Sequence, residues 1–395
     1  MLAKRLALLT TTIVLLLVLA EIATRLLTDT IPPLTVKDPV IGQHYLPSFE
    51  ADVFVPEAHR KVHLRFNEVG FRGPDRPMRK PPGVRRVAVL GDSMIASVTV
   101  DEKDTLVCQL ERMLTRSHPQ VKWEVLNFGV CGASPGQAMV LYRELAYRWD
   151  PDVVLCAYFV GNDLADNCSR LSHNPRIYFD LDEQGTMRQE PFSARRAWIG
   201  YYLNRYSRFY VWQKCALNNA RRQIMEVTGT VEPGHWIFCR NESEDLAHAW
   251  KLTGEINRAF QREVTRRGAS FALLLIPAAE QVDQHVFESL RQKAGDLADQ
   301  FDWDYPDERL GELCRAADVS FLSMTADFRQ AAPDATSHAK DQWLFCNGRG
   351  HFNERGNRLA AQRVHHFLTH GFLTHSILTR GGQDHLADRP SASRH

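Results

Sequence analysis

The stretch Arg86–Ser93, with the sequence RVAVLGDS, is the clearest structural signal in this chain. Its apolar, β-branched centre is typical of a strand that is buried on both faces, and Gly91 ends it. Two later runs have the same character and also end at a glycine: Glu124–Phe128 (EVLNF) before Gly129, and Val153–Val160 (VVLCAYFV) before Gly161. Helix-length segments separate the three runs, at Thr105–Ser117 and Pro135–Trp149. Because strand and helix alternate, the sequence predicts an α/β fold with a parallel sheet and helices on both faces.

The second half of the chain continues this alternation after an interruption. Clean strand patterns are lacking at about residues 169–245, where we predict a largely helical insertion. The insertion contains an aromatic cluster, Tyr201–Trp212, which we interpret as the core of a cap rather than as a platform for sugars. Later elements are predicted at Glu244–Arg267 (helix), Ser270–Ile276 (strand), Ala279–Gly295 (helix), Glu308–Ala317 (helix), Val319–Leu322 (strand) and Asn353–Leu368 (helix).

The composition is that of a soluble globular protein. Of the 395 residues, 44% are hydrophobic and 24% are charged. The formal net charge is only +1, whereas nucleic-acid-binding proteins usually show a basic excess, so we expect no nucleic-acid partner. We divide the chain into an N-terminal apolar segment (1–27), a Pro-rich extended connector (28–83), one α/β domain with its insertion (84–370) and a disordered tail (371–395).

The N-terminal segment differs from the rest of the chain. Along it come a basic pair (Lys4 and Arg5), an uncharged run (Leu6–Ala20), and then Glu21 and Arg25. As a helix, residues 6–27 would span roughly 33 Å, close to the ~30 Å hydrocarbon core of a bilayer. We predict an uncleaved transmembrane signal anchor; the alternatives are a cleaved signal peptide and a buried amphipathic helix. Glu21 and Arg25 lie four residues apart and are expected to pair or to reach the far interface.

The order of charges and the cysteine pattern bear on the compartment. Basic residues before the apolar run favour a cytoplasmic N-terminus, which would place the following domain on the periplasmic or extracellular side. The eight cysteines include no CxxC pair and no zinc-like spacing, so we expect no metal site. No organic cofactor is expected either. In an exported domain some of these cysteines would form disulfides, and the sequence leaves every pairing open.

The loops after the three predicted strands carry the candidate chemistry. In an open parallel sheet, ligands bind beyond the carboxyl ends of the strands. Ser93 follows the first strand, Gly132 the second and Asn162 the third. A serine on a strand-to-helix turn suits a nucleophile whose own N–H helps to bind an oxyanion, and Gly132 and Asn162 offer further donors. His351, at the start of the last helix, offers a general base.

These residues resemble a known family. Gly91-Asp92-Ser93, Gly132, Gly161-Asn162-Asp163 and His351 resemble, in order and approximate spacing, the four blocks of the SGNH/GDSL hydrolases. That family contains esterases, lipases, carbohydrate deacetylases and acyltransferases, and Asn67–Arg72 (NEVGFR) resembles the lead-in of its membrane-anchored, cell-envelope members. The resemblance implies a three-layer, flavodoxin-like parallel sheet. It also implies that Ser93 is the nucleophile, that His351 is the base, and that the Ser93 backbone, Gly132 and Asn162 form the oxyanion hole.

The chain departs from the family at the acid that orients the histidine. Members commonly have an aspartate two or three residues before it, where this chain has Arg349 and Gly348. Such an acid holds the imidazole in position and stabilises the imidazolium. The candidates to replace it are Asn347 and Asp341; the alternatives are a backbone carbonyl or a protein that has lost its activity.

The resemblance and the anchor together lead to a functional expectation. We expect a serine esterase that acts on an O-acyl ester, in particular an acetyl ester on an envelope carbohydrate, through an acyl-serine intermediate. One alternative is an O-acyltransferase that modifies a cell-envelope polysaccharide. The other is a catalytically inactive relative that serves as a carbohydrate-binding or scaffold protein.

Overall fold

The computed structural model describes residues 2–28, 34–172, 174, 176–191, 202–203, 206–228, 233–332, 342–348 and 350–373. The predicted tail beyond residue 373 lies outside the described residues, as do Asp341 and Arg349.

Eleven strands and twelve α-helices are considered within these ranges. The strands are β1 Thr35–Asp38, β2 Gly42–Tyr45, β3 Glu50–Val55, β4 Arg60–Arg65, β5 Val84–Gly91, β6 Lys122–Gly129, β7 Val153–Phe159, β8 Phe179–Leu181, β9 Met187–Gln189, β10 Ser270–Ile276 and β11 Ser320–Ser323. The helices are α1 Leu2–Leu27, α2 Ser93–Ala96, α3 Leu106–Ser117, α4 Pro135–Glu144, α5 Asp163–Asn167, α6 Arg208–Thr228, α7 Glu244–Arg266, α8 Ala279–Val282, α9 Gln284–Lys293, α10 Tyr305–Ala316, α11 Thr325–Ala331 and α12 Glu354–Phe367.

A five-stranded parallel sheet forms the centre of the protein, and the predicted fold class is confirmed. The strand order is β11-β10-β7-β5-β6, with every neighbouring pair parallel. Numbered along the chain, this is the flavodoxin-like order 2-1-3-4-5. The chain leaves β5 toward β6 on one side and then returns to β7 on the other. The loops after β5 and β7 therefore flank the point where the strand order reverses, which is where ligands bind in such sheets.

Both faces of the sheet are buried, as the apolar runs predict. Along β5, Ala88 and Leu90 belong to a core that includes residues of α4 and α7, whereas Val87 and Val89 belong to a core with α3 and α12. Helix α4 begins where its sequence predicts, since the Ser134 hydroxyl accepts a hydrogen bond from the Gln137 N–H at 3.2 Å. The single helix predicted at Ala279–Gly295 is instead divided into α8 and α9, and α10 begins at Tyr305, three residues before the predicted start. The layers are thus helix, sheet and helix.

The segment between α1 and the sheet contains two antiparallel hairpins, β1–β2 and β3–β4. Val62 and Leu64 of β4 are buried with Tyr45 of β2 in a small core that also includes Ala96 of α2. The predicted extended connector therefore holds regular structure that packs directly against the helix carrying Ser93. Prolines and charges obscured the short alternating pattern of β3 and β4.

The insertion contains the small hairpin β8–β9 and the long helix α6. The aromatic side chains described there are largely exposed: Tyr206 has 63% of its surface accessible and Trp212 has 45%. Our interpretation of this cluster as the core of a cap is therefore wrong for the described residues. Core residues are buried, and the sequence pattern does not reveal the exposure of Tyr206 and Trp212.

Helix α1 is long and apolar enough to cross a membrane, as judged by length and composition alone. Residues 2–19 are exposed, while Thr24 near its C-terminal end is buried against the insertion. The predicted pairing is present, because the Arg25 Nε atom lies 2.7 Å from the Glu21 carboxylate.

Candidate active site

Ser93 lies on the tight turn between β5 and α2. The Asp92 carboxylate accepts a hydrogen bond from the Met94 N–H at 2.9 Å, which caps α2 and makes Ser93 its first residue. Gly129 at the end of β6 allows α2 to approach closely, since a Cβ there would lie 2.3 Å from the Ala96 nitrogen. The serine hydroxyl is thereby held at the carboxyl edge of the sheet, half-buried, with a fixed direction.

Gly132 lies in the turn after β6 on the same edge. Its φ of +70° is in the left-handed region that favours glycine. The turn is braced from two sides, because Gln43 Nε2 donates to the Cys131 carbonyl and Arg176 Nη1 donates to the Gly132 carbonyl at 3.1 Å. Within the described part of the chain, neither the Ser93 nor the Gly132 main-chain N–H has an acceptor. Two N–H donors are thus available at this edge.

Asn162 follows β7 on the other side of β5. Its Nδ2 atom donates to the Asp166 carboxylate at 2.7 Å and makes a longer contact of 3.4 Å with the Asp163 carboxylate. The hydrogen bond to Asp166 orients the amide. Because the 3.4 Å contact with Asp163 is weak, the second amide hydrogen can be donated to a ligand instead. Asp163 itself accepts from the Phe159 N–H at 2.7 Å, so its role is to shape the turn.

His351 contacts both the candidate nucleophile and a carboxylate. Its Nε2 atom lies 2.8 Å from the Ser93 hydroxyl oxygen, and its Nδ1 atom lies 2.6 Å from a carboxylate oxygen of Glu57. The second carboxylate oxygen of Glu57 accepts from the His351 main-chain N–H at 2.7 Å. Serine, histidine and carboxylate therefore form one continuous hydrogen-bonded chain, the arrangement that activates a serine hydroxyl.

Glu57 was not among the residues that we selected from the sequence. It lies in the turn Pro56–Ala58 between β3 and β4, and a positive φ of +76° at Gly350 lets its carboxylate approach. A Cβ at Gly350 would lie 2.3 Å from the Glu57 carboxylate. The signal that could have found it is the alternation of β3 and β4, which places Glu57 at the tip of a hairpin.

The candidate Asn347 has a different position from the one we expected. Its amide donates to the main-chain carbonyl of Glu57 at 2.8 Å, and it is Glu57 that bonds Nδ1 of His351. Asn347 supports the turn that carries the acid rather than orienting the ring itself. The reason is its own backbone, which adopts a φ of +51° in a tight turn that directs the amide toward β3–β4.

Burial and neighbouring charges change the pKa values of three side chains at the site. Burial alone would lower the pKa of His351, but the hydrogen bond and the charge of Glu57 outweigh it and raise the pKa above the usual 6.5. Burial also raises the pKa of Asp92, to about 6, although the Met94 N–H opposes this change. For the neighbouring Cys131, burial raises the pKa of the thiol to about 11, so this cysteine is a poor nucleophile.

The described residues offer no group of three or more histidine, cysteine, aspartate or glutamate side chains suited to a metal ion. All eight cysteines lie in the described ranges and are unpaired there.

No family model matches the sequence, and no curated protein matches it. Among solved structures, it is similar to the acetyl xylan esterase AlAXEase (12% identity, 71% of this chain and 97% of that chain, TM-score 0.39). It is also similar to TesA (10% identity, 72% and 98%, TM-score 0.37) and to a variant of Axe2, an acetyl xylan esterase from Geobacillus stearothermophilus (12% identity, 73% and 95%, TM-score 0.38). At these TM-scores the likeness carries no functional argument.

Proposed function

We propose that this protein is a serine esterase of the SGNH/GDSL type that hydrolyses an O-acyl ester, with an acetylated carbohydrate of the cell envelope as the substrate class. The single observation that carries the proposal is the chain of contacts from Ser93 through His351 to Glu57, with distances of 2.8 Å and 2.6 Å. Both distances are within hydrogen-bond range, as proton transfer from the serine requires.

The proposed reaction begins with attack of the Ser93 oxygen on the ester carbonyl carbon. Nε2 of His351 accepts the serine proton, and the carboxylate of Glu57 stabilises the imidazolium through Nδ1–H. The imidazolium then gives this proton to the departing alcohol, which leaves an acyl-serine. Water then attacks the acyl carbon while His351 takes its proton; the acyl–oxygen bond breaks, the imidazolium returns the proton to the Ser93 oxygen, and the carboxylic acid is released.

The oxyanion of each tetrahedral intermediate would be bound by the N–H groups of Ser93 and Gly132 and by the Asn162 amide. The first two have no competing acceptor within the described residues, and the third is held by Asp166. Donors that are already in position need no reorganisation as charge develops, and each is expected to contribute about 3 kcal/mol to transition-state stabilisation.

The exposure of the site is compatible with hydrolysis, since water can reach the base. The side chain of His351 is 32% exposed and Ser93 is half-buried, so the acyl-serine would face solvent. The alternative of an inactive relative rests on the absent acid before His351, and the carboxylate of Glu57 at Nδ1 supports the active alternative instead.

We further propose that α1 anchors the protein in the cytoplasmic membrane by a single span, with the α/β domain on the extracytoplasmic side. Residues 2–19 are exposed and do not pack against the described chain, as expected for a helix surrounded by lipid. Lys4 and Arg5 precede the apolar run, which favours a cytoplasmic N-terminus.

Activity on a small acetyl aryl ester tests the esterase proposal. The Ser93→Ala variant should lose essentially all turnover and should no longer be labelled by a fluorophosphonate, whereas Ser117→Ala, a serine of α3 outside the site, should match the unmodified protein. Equal rates for Ser93→Ala and the unmodified protein would exclude Ser93 as the nucleophile. For the substrate class, release of acetate from an acetylated polysaccharide supports hydrolysis, and acetyl found only on an added acceptor would support transfer.

A further inference from the structure

The insertion presents a group of exposed apolar side chains beside the end of α1. We define the aromatic patch as Tyr202, Leu203, Tyr206 and Trp212; the ring of Trp212 stacks with that of Phe209, whose N–H donates to Glu21, at a centroid distance of 6.3 Å. Large apolar side chains that are exposed together mark interaction surfaces. Tyr202 and Tyr206 stack with their ring centroids 5.9 Å apart, so part of the patch forms a flat aromatic surface.

The patch is fixed to α1 by hydrogen bonds rather than merely lying near it. The Glu21 carboxylate accepts from the Ser207 hydroxyl at 2.9 Å and from the first N–H groups of α6, Arg208 at 3.0 Å and Phe209 at 3.1 Å. A carboxylate at a helix N-terminus satisfies N–H groups that have no partner within the helix. Arg25 donates to the Tyr206 carbonyl at 2.8 Å. The start of α6 therefore has a defined position relative to α1.

That position corresponds to a particular depth in a membrane. The uncharged run of α1, Leu6–Ala20, would span roughly 22 Å at ~1.5 Å per residue, and the long side chains of Lys4 and Arg5 can reach the opposite headgroups across a hydrocarbon core of ~30 Å. Glu21 and its partners then lie where the hydrocarbon ends and the headgroups begin. Tyrosine and tryptophan are enriched at this level because their rings have both apolar and polar parts.

We infer that the aromatic patch lies in the headgroup region of the bilayer that α1 crosses, so that the insertion rests on the lipid surface and holds the α/β domain at a fixed height. The inference rests on the proposed membrane anchoring. Lipid is the occupant because the patch is continuous with the end of the membrane-spanning helix. The start of α6 adds charge complementarity to anionic headgroups, since residues 208–217 include Arg208 and Lys214 and no acidic residue.

Quenching of tryptophan fluorescence by spin-labelled lipid tests the contact. The full chain is reconstituted in vesicles of phosphatidylcholine and phosphatidylglycerol that contain phosphatidylcholine with a doxyl group near the headgroup. Helix α1 contains no tryptophan, so the anchor itself gives no signal. We expect Trp212→Phe to lower the quenched fraction about twofold or more, because tryptophan at the interface lies next to the label. The control Trp250→Phe, which removes a tryptophan from the protein core, should not lower it.

The outcomes separate this inference from the proposals on which it depends. If the vesicles retain the protein after an alkaline wash and Trp212→Phe leaves the quenched fraction unchanged, the patch is not in lipid and the inference is overturned while the anchor stands. If the wash removes the protein, the anchor fails and the inference fails with it. Cross-linking between copies through Cys215, which is exposed on α6, without quenching would identify a second copy as the occupant and also overturn it. Esterase activity of the same vesicles reports separately on the catalytic proposal.

Discussion

The carboxylate of Glu57 lies 2.6 Å from Nδ1 of His351, although 294 residues separate the two along the chain. The acid comes from a hairpin before the sheet, and the base comes from the loop before the last helix. A carboxylate at this atom fixes the ring so that Nε2 is directed at the Ser93 oxygen. The hairpin β3–β4 is therefore part of the candidate catalytic machinery rather than a spacer.

Replacing Glu57 by glutamine should slow the reaction without preventing substrate binding. The amide has no charge to stabilise the imidazolium and cannot accept both from Nδ1 and from the His351 N–H, so we expect kcat to fall roughly 10²- to 10⁴-fold with KM little changed. Steady-state kinetics on the aryl ester measure both constants. Glu50→Gln is the matched control, because Glu50 lies on the same hairpin with its carboxylate bonded to His63. A normal kcat in Glu57→Gln would rule out the proposed role.

The pH dependence of the reaction should report the His351–Glu57 pair. The base must be neutral to accept the serine proton, and Glu57 raises the pKa of His351 above 6.5. The value of kcat/KM should therefore fall as the pH drops through a midpoint above 6.5. In Glu57→Gln the negative charge is absent, so the midpoint should move to lower pH. A pH profile of both proteins checks this, and an unchanged or higher midpoint in the variant would contradict it.

The variant Gly350→Ala adds a methyl group that should displace the carboxylate of Glu57. Its Cβ would lie 2.3 Å from the Glu57 carboxylate, which would have to leave His351, and misplacement of this size is expected to cost roughly 10²-fold in kcat. Gly348→Ala is a close control, because Gly348 has a φ of +77° against +76° at Gly350, and its Cβ would meet nothing nearer than Trp343 at 3.9 Å. Equal losses in the two variants would attribute the effect to backbone strain instead of the clash.

Arg72 should stabilise the turn that carries Ser93. Its buried guanidinium donates to the carbonyls of Ala96, Ser97 and Val100, just after α2. Arg72→Met leaves these carbonyls without a donor, and we expect the free energy of unfolding to fall by about 1–3 kcal/mol or more. Urea unfolding of the detergent-solubilised protein measures the change.

A surface arginine provides the comparison for Arg72. Arg65→Met removes a partly exposed ion pair with Glu102 and should cost no more than about 1 kcal/mol. If the two variants unfold at the same urea concentration, the carbonyl contacts of Arg72 do not stabilise the turn.

Much of the fold follows from local patterns. The apolar runs of β5, β6 and β7 and the intervening helices were predicted close to their observed positions, because burial on both faces of a sheet selects short apolar segments wherever they occur. The placement of Ser93, Gly132 and Asn162 at one edge also follows, since the carboxyl ends of parallel strands coincide. His351 was selected as a histidine at the start of the last helix, where a base was needed, and the family resemblance implied the same role.

The features that the sequence did not predict are contacts between distant segments. Glu57 is one of three glutamates in residues 28–83, a stretch that is rich in proline and charge, and no spacing relates it to His351. The same holds for Glu21, which is the partner of α6 nearly two hundred residues later. The hydrophobic periodicity of a segment shows which of its faces is buried in an apolar core. It does not show which other segments that face contacts. A hydrogen bond between two particular side chains depends on where folding brings the segments, so the acid of the site emerges only once the hairpin has packed against α2.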